Sequence, residues 1–322
     1  MKENKQKEGK KIGVGIVTLI VLMILLVTGC TTADISDLSY NFKQGVTEMH
    51  MKQLENAPPK QVYPNSNFKV VVEVDNQGAY PISIAENGLR ISGYLDKYFS
   101  FERAFDQEDT INYPLEGRSL TNPSGDKIIV EFDGKAKQLF ENAVEYNGKY
   151  FLKAEYSSKV EFVDTICINP NLYSVYDSGC EIQNQKSYSG QGAPIAITKL
   201  EEITIPGVAS QIEFQVEVRN LGQGRLKKLT LNKATLGGEE LVCIFTGSNS
   251  ESGTGMKEIM FQSSQDIGGR EQALIVCDKI VRERSSYPTT LFLDLSYDYV
   301  LEQQYNLKIV NPNYNANLNT YS

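Results

Sequence analysis

Tryptophan is absent from the 322-residue sequence, and histidine occurs once, at His50. A Ser-His-Asp or Cys-His nucleophile would have to rest on that one imidazole, and a zinc site built from several histidines is excluded. Positive charge is in deficit: 32 Lys and Arg face 40 Asp and Glu, a net charge of −8. A phosphate backbone needs a concentrated basic surface, so nucleic acid is not an expected partner. Apolar sequence is ample. With 41% hydrophobic and 22% charged residues the chain can bury a core, which argues against a largely disordered protein. At roughly 100–200 residues per domain, the length suggests two folded domains with chain to spare.

Long hydrophobic runs are also lacking, apart from one near the start. Lys2, Lys5, Lys7, Lys10 and Lys11 outweigh Glu3 and Glu8, and Ile12 to Val27 follows, apolar except for Thr18. This is a basic n-region ahead of a hydrophobic h-region. The run ends in Leu26-Val27-Thr28-Gly29-Cys30, which resembles the lipobox of prokaryotic lipoproteins and so implies lipid on Cys30. The competing expectation is an uncleaved helix. Ile12 to Gly29 is 18 residues, close to 27 Å at about 1.5 Å each, against a hydrocarbon core of about 30 Å. Either way residues 12–30 engage the membrane and the chain after Cys30 lies outside the cell. That exported part holds 27 basic and 38 acidic residues, a net charge of −11, which favours solubility and gives no sign of docking onto anionic lipid.

Besides Cys30 there are four cysteines, and an even number in an exported chain reads as two disulfides. Three connectivities are possible. We expect Cys167 with Cys180 and Cys243 with Cys277, since each bridge then stays within one domain of the layout below. Spacings of 12 and 33 intervening residues without a CxxC do not resemble zinc ligation, and no metal or cofactor is expected.

An internal repeat sets the expected architecture. Val72-Glu73-Val74-Asp75-Asn76-Gln77-Gly78 is matched by Val216-Glu217-Val218-Arg219-Asn220-Leu221-Gly222, and Phe151-Leu152 with Tyr156 is matched by Phe292-Leu293 with Tyr297. Asn76 to Tyr156 is 80 positions and Asn220 to Tyr297 is 77, so order and separation agree as well. Alternation over Phe68–Val74 and Ile212–Val218 marks half-buried strands, and the Asn-x-Gly after each marks a turn in which glycine is free to take positive φ. Further strands are expected at 88–94, 127–132, 150–162, 226–231, 241–245, 257–262, 273–279 and 290–299. Strands without intervening helices predict an all-β chain of two tandem β-sandwiches.

The V-x-V-x-N-x-G pattern resembles that of CARDB-like and related immunoglobulin-like adhesion modules of prokaryotic surface proteins. Residues 56–63 (Asn56-Ala57-Pro58-Pro59-Lys60-Gln61-Val62-Tyr63), 75–80 and 190–198 resemble stretches of an uncharacterised group of archaeal cell-surface proteins with an N-terminal anchor. The resemblance implies fold and location, and carries no activity or catalytic residue. The expected layout is a signal or anchor at 1–30, a spacer at 31–38, an immunoglobulin-like sandwich at 39–186, a linker at 187–193, a CARDB-like sandwich at 194–310 and a disordered tail at 311–322.

Candidate sites are few. Met49-His50-Met51 carries copper-type ligands, but adjacent residues of a strand point apart. Glu102, Asp106, Glu108 and Asp109, and the pair Glu201-Glu202, fall where polar connections are expected, without a D-x-D-x-D-G calcium loop. Ser250 to Gly255 reads as a hairpin tip. Tyr94, Tyr98, Phe99, Phe101 and Phe105 surround the start of the long 102–126 connection, a place for a partner to dock or for packing over a sheet edge. The expected function is non-enzymatic binding or scaffolding at the outer face of the cell membrane, with a protein or glycan partner in the envelope. A structural envelope or filament subunit is the first alternative. An extracellular carboxylate-based hydrolase, or its accessory subunit, is the second.

Overall fold

The computed structural model describes residues 42–93, 97–102, 114–140, 143–170, 179–181, 183–207, 209–246, 257–261, 271–283 and 285–312. The expected anchor with Cys30, the spacer, Tyr94, Phe105, Asp106, Glu108, Asp109, the tip at 250–255 and the tail beyond 312 lie outside the described residues. Among the described residues no helix is long and apolar enough to cross a membrane.

The described chain is all-β. The first repeat contributes β1 (Met49–Gln53), β2 (Gln61–Val62), β3 (Asn67–Asn76), β4 (Ser83–Gly93), β5 (Phe99–Glu102), β6 (Lys127–Ala136) and β7 (Glu145–Ile168). After β8 (Gln185–Ser187), the second contributes β9 (Ile195–Ile205), β10 (Ser210–Asn220), β11 (Arg225–Leu236), β12 (Glu239–Glu240), β13 (Val242–Thr246), β14 (Glu258–Met260), β15 (Gln272–Val281) and β16 (Tyr287–Val310). One sheet has the order β1-β3-β6-β5 and another β13-β15-β10-β9-β8. The third, of seven strands, has the path β12-β11-β16-β7-β4, with β14 beside β11 and β2 beside β16. Only the short β2–β16 contact is parallel among these pairings.

The motifs identified as repeated occupy matching places. β3 pairs with β6 as β10 pairs with β15, and β4 pairs with β7 as β11 pairs with β16. The long strands β7 and β16 then pair with each other, antiparallel and without a register break, from Glu145↔Val310 to Ile168↔Tyr287. On these two strands motif-equivalent residues are 141 positions apart, so Ser157↔Asp298 is the midpoint of a local two-fold relation that maps Tyr156 onto Tyr297 and Ser158 onto Tyr299. At that midpoint the Ser157 hydroxyl donates to Asp298 Oδ1 at 2.6 Å.

Each long strand runs through the one core that the two repeats share. Tyr305 on β16 stacks on Tyr150 with ring centroids 5.5 Å apart, beside the sheet that holds β1, whose Gln53 accepts from the Tyr150 hydroxyl. At the other end of β7, Phe162 packs edge-on against Tyr188, next to β9. Alternation explains this: Tyr150, Leu152, Ala154, Tyr156, Val160 and Phe162 all face inward and are buried. Gly134 and Gly148 lie under the aromatic cluster. A Cβ at Gly148 would meet the Phe99 ring at 2.0 Å, and one at Gly134 would meet Phe68 at 2.4 Å. Tyr98, Phe99 and Phe101 therefore pack over β6 and β7, and Phe99 is almost wholly buried.

The expected linker is a packed segment. Ser187 lies in β8, Gly192 N–H donates to Gly45 O at 2.8 Å, and the buried Gln191 amide exchanges hydrogen bonds with the Ile197 backbone. Gly192 has φ +77°, and a Cβ there would sit 2.6 Å from that of Ala79.

Cys167 and Cys180 stand at disulfide distance (S–S 2.01 Å), as do Cys243 and Cys277 (2.03 Å). Cys243 and Cys277 are register partners on β13 and β15. With a sequence separation of 34 positions, loop-closure entropy makes this bridge worth about 4 kcal/mol. The double variant Cys243→Ser, Cys277→Ser is expected to melt about 8–16 °C lower. A thermal scan that moves by less than 2 °C would refute that assignment.

Candidate functional site

The Asn-x-Gly turns that end β3 and β10 are built alike. Asn76 Oδ1 accepts from Gly78 N–H at 3.0 Å, and Asn220 Oδ1 accepts from Gly222 N–H at 3.0 Å. The amide nitrogen then reaches the carbonyl four residues on, Tyr80 O at 2.8 Å in the first repeat and Gly224 O at 2.9 Å in the second. Each side chain also ties its turn to a distant segment, Asn76 to Leu115 O and Asn220 to Glu271 Oε2. Both asparagines are buried, and a buried amide is tolerated because its donors and acceptor are satisfied. The glycines serve differently from expectation. Neither Gly78 nor Gly222 has positive φ. What excludes a side chain is crowding: a Cβ at Gly222 would lie 2.5 Å from both Pro194 Cβ and the Tyr299 hydroxyl, and 2.8 Å from Glu48 Oε2.

Around these turns the two repeats meet. Pro194 O accepts from Leu221 N–H at 2.8 Å, and Glu48, from the strand arm before β1, accepts Gln223 N–H on Oε1 at 3.2 Å. Tyr299 packs 5.6 Å from Tyr156 and 6.2 Å from Tyr297, and donates its hydroxyl to Asn220 Oδ1 at 2.9 Å. Between Glu48, Asn76, Tyr156, Ser158, Pro194 and Tyr297 lies a cavity of about 10 Å³. It is large enough for a water and too small for an organic substrate.

The electrostatics follow from burial. Desolvation raises the Glu48 pKa, with Gln223 N–H and the Tyr299 hydroxyl acting in the opposite direction. Desolvation also raises the phenols of Tyr156, Tyr297 and Tyr299, and pushes Tyr80 up to about 12. These tyrosines stay protonated at neutral pH, and Tyr80 and Tyr299 donate their hydroxyls to Glu161 O and Asn220 Oδ1. The arrangement can hold two repeats in register, and it offers no deprotonated phenol for catalysis.

The sequence candidates fall elsewhere. His50 points outward on β1 with Nδ1 3.1 Å from Asp75 Oδ1, while Met49 and Met51 enter the core, so the three side chains diverge. Among the described residues no three His, Cys, Asp or Glu side chains group as metal ligands. Glu102 ends β5, and Asp106, Glu108 and Asp109 lie outside the described residues. Glu201 and Glu202 lie in β9 instead of a polar connection. Glu201 pairs with Lys199 at 2.8 Å, whereas Glu202 is buried with Oε1 unpartnered. Desolvation lifts Glu202 to about 7, opposed by the Asn169 backbone and Lys186. A bulge accounts for this inward turn. Ile197 opposes Val218 and Lys199 opposes Glu217, leaving Thr198 as the extra residue and moving Leu200 and Glu202 to the core side. The apolar Leu200 at the wrong phase is the one signal in the sequence.

No family model and no curated protein matches the chain.

Proposed function

We propose that this chain is a membrane-anchored extracellular surface protein whose body, two immunoglobulin-like, CARDB-like β-sandwich repeats, scaffolds or binds other components of the cell envelope without catalysing a reaction. The observation that carries the reading is the pairing of β7 with β16 over their whole length. Twenty-four residue pairs at about 3.4 Å each come to roughly 80 Å of continuous ladder. Such a ladder resists bending where two domains on a loop would hinge, which suits a body held out from a surface. Two cysteine pairs at disulfide distance agree with an oxidising compartment. The basic and apolar leader, with Cys30 at its end, supplies the anchor. Its partner is a protein or a glycan of the envelope.

Protease treatment of intact cells, followed by intact-mass analysis of the membrane extract, tests this. The body is expected to be digested from outside. Untreated protein is expected either to lack residues 1–29 and carry lipid on Cys30 or to keep the leader whole. Protein protected until lysis, or recovered from the soluble fraction at its full mass, would overturn the proposal.

A further inference from the structure

We propose that the cavity between the repeats binds one buried water, which accepts a hydrogen bond from the Tyr156 hydroxyl and donates one to Glu48 Oε2. Tyr156 is 2% exposed, and its hydroxyl has no hydrogen-bond partner. Glu48 Oε2 is buried and equally unpartnered, although Oε1 is held by Gln223. Both residues line the same cavity, whose volume of about 10 Å³ matches one water.

Other polar groups nearby are already committed. Asn76 Nδ2 donates to Tyr80 and Leu115, Ser158 Oγ donates to Pro81 O at 2.9 Å, the Tyr297 hydroxyl lies against Ser158, and Tyr299, whose hydroxyl also lies beside Glu48, gives its single proton to Asn220. The Met49 amide leans toward the Tyr156 oxygen but stands outside hydrogen-bond geometry, and it could not accept the phenolic proton. Two buried polar atoms left unmet are costly, and a bridging water meets both.

The two-fold relation places a larger side chain at the equivalent position of the second repeat. Ser158 maps onto Tyr299, which in the second repeat lays a full ring beside the Asn220 turn and closes the corresponding space. The shorter Ser158 leaves that space open beside Asn76. The water is thus a bridge between the arm carrying Glu48, which also holds the second repeat, and the first repeat's long strand.

The test is a crystal structure of the full chain together with Tyr156→Phe. The expected density is a single peak 2.6–3.2 Å from both Tyr156 Oη and Glu48 Oε2, a range set by ordinary hydrogen-bond geometry. Tyr156→Phe keeps the ring and is expected to raise the unfolding equilibrium constant about tenfold, while Glu48→Gln, whose amide oxygen can still accept, keeps the water. A dry cavity that admits xenon would overturn the proposal. So would Tyr156→Phe at unchanged or improved stability, the result for a hydroxyl that had no partner to lose.

Discussion

Asn76→Ala is expected to lower the stability of the body by about 4 kcal/mol. Its side chain is fully buried and makes three hydrogen bonds, to Gly78 N–H, Tyr80 O and Leu115 O. Alanine strands one amide and two carbonyls, each costing about 1–3 kcal/mol when left unmet in the interior. Partial relaxation of the turn keeps the sum toward the lower end. Asn220→Ala should behave similarly, because it abandons Gly222 N–H, Gly224 O, Glu271 and the Tyr299 hydroxyl. Aspartate is no rescue at position 76: it keeps an acceptor for Gly78 and brings charged oxygens against two carbonyls. Denaturant unfolding measures all three, and an Asn76→Ala loss below 1 kcal/mol would show that the turn is held by something else.

Glu202 is expected to make the body less stable as pH rises from about 4.5 to about 7. The folded value is raised to about 7 against an ordinary 4.5, because burial penalises the carboxylate. Below 4.5 both folded and unfolded chains hold the proton, and the group has no effect on stability. Between the two values the folded chain retains a proton that the unfolded chain has released, so raising the pH favours unfolding. Above 7 both forms are ionised and the penalty is constant. A difference of 2.5 pKa units, at about 1.36 kcal/mol per unit, sets an upper figure of about 3 kcal/mol. Glu202→Gln should therefore be about 2–3 kcal/mol more stable than the parent chain at pH 8 and close to it at pH 4. Subtracting the two pH profiles removes Glu48, which titrates in the same direction. Parallel profiles would show that Glu202 is hydrated in the folded chain.

The two residues show how far the sequence is legible. Asn76 stands out because its motif recurs at Asn220 with matched spacing to a second motif, and a repeated turn must be satisfied in the same way twice. Glu202 does not, because alternation counted from Ile195 and Ile197 places Lys199 and Glu201 inward, and only the bulge at Thr198 reverses the phase. The strand β9 itself escapes recognition for that reason. β5 is hidden too: Phe99 to Glu102 looks like the head of a loop, and its aromatics make sense only with Gly134 and Gly148 on the opposing strands.

Composition and periodicity were enough to determine an all-β body, the recurrence of its turn and strand motifs pointed to two related repeats, and the choice of Cys167 with Cys180 and Cys243 with Cys277 agrees with two pairs at disulfide distance. Each depends on residues whose meaning is local or counted along the chain. Tertiary structure alone decided that β7 and β16 pair along their whole length and run through one shared core, that residues 187–193 are packed, and that Ser158 leaves a cavity where Tyr299 fills one. A period of two reports which face of a strand is buried and is silent about which strand lies beside it. That choice belongs to contacts more than a hundred residues apart, and here it turns two repeats into one body.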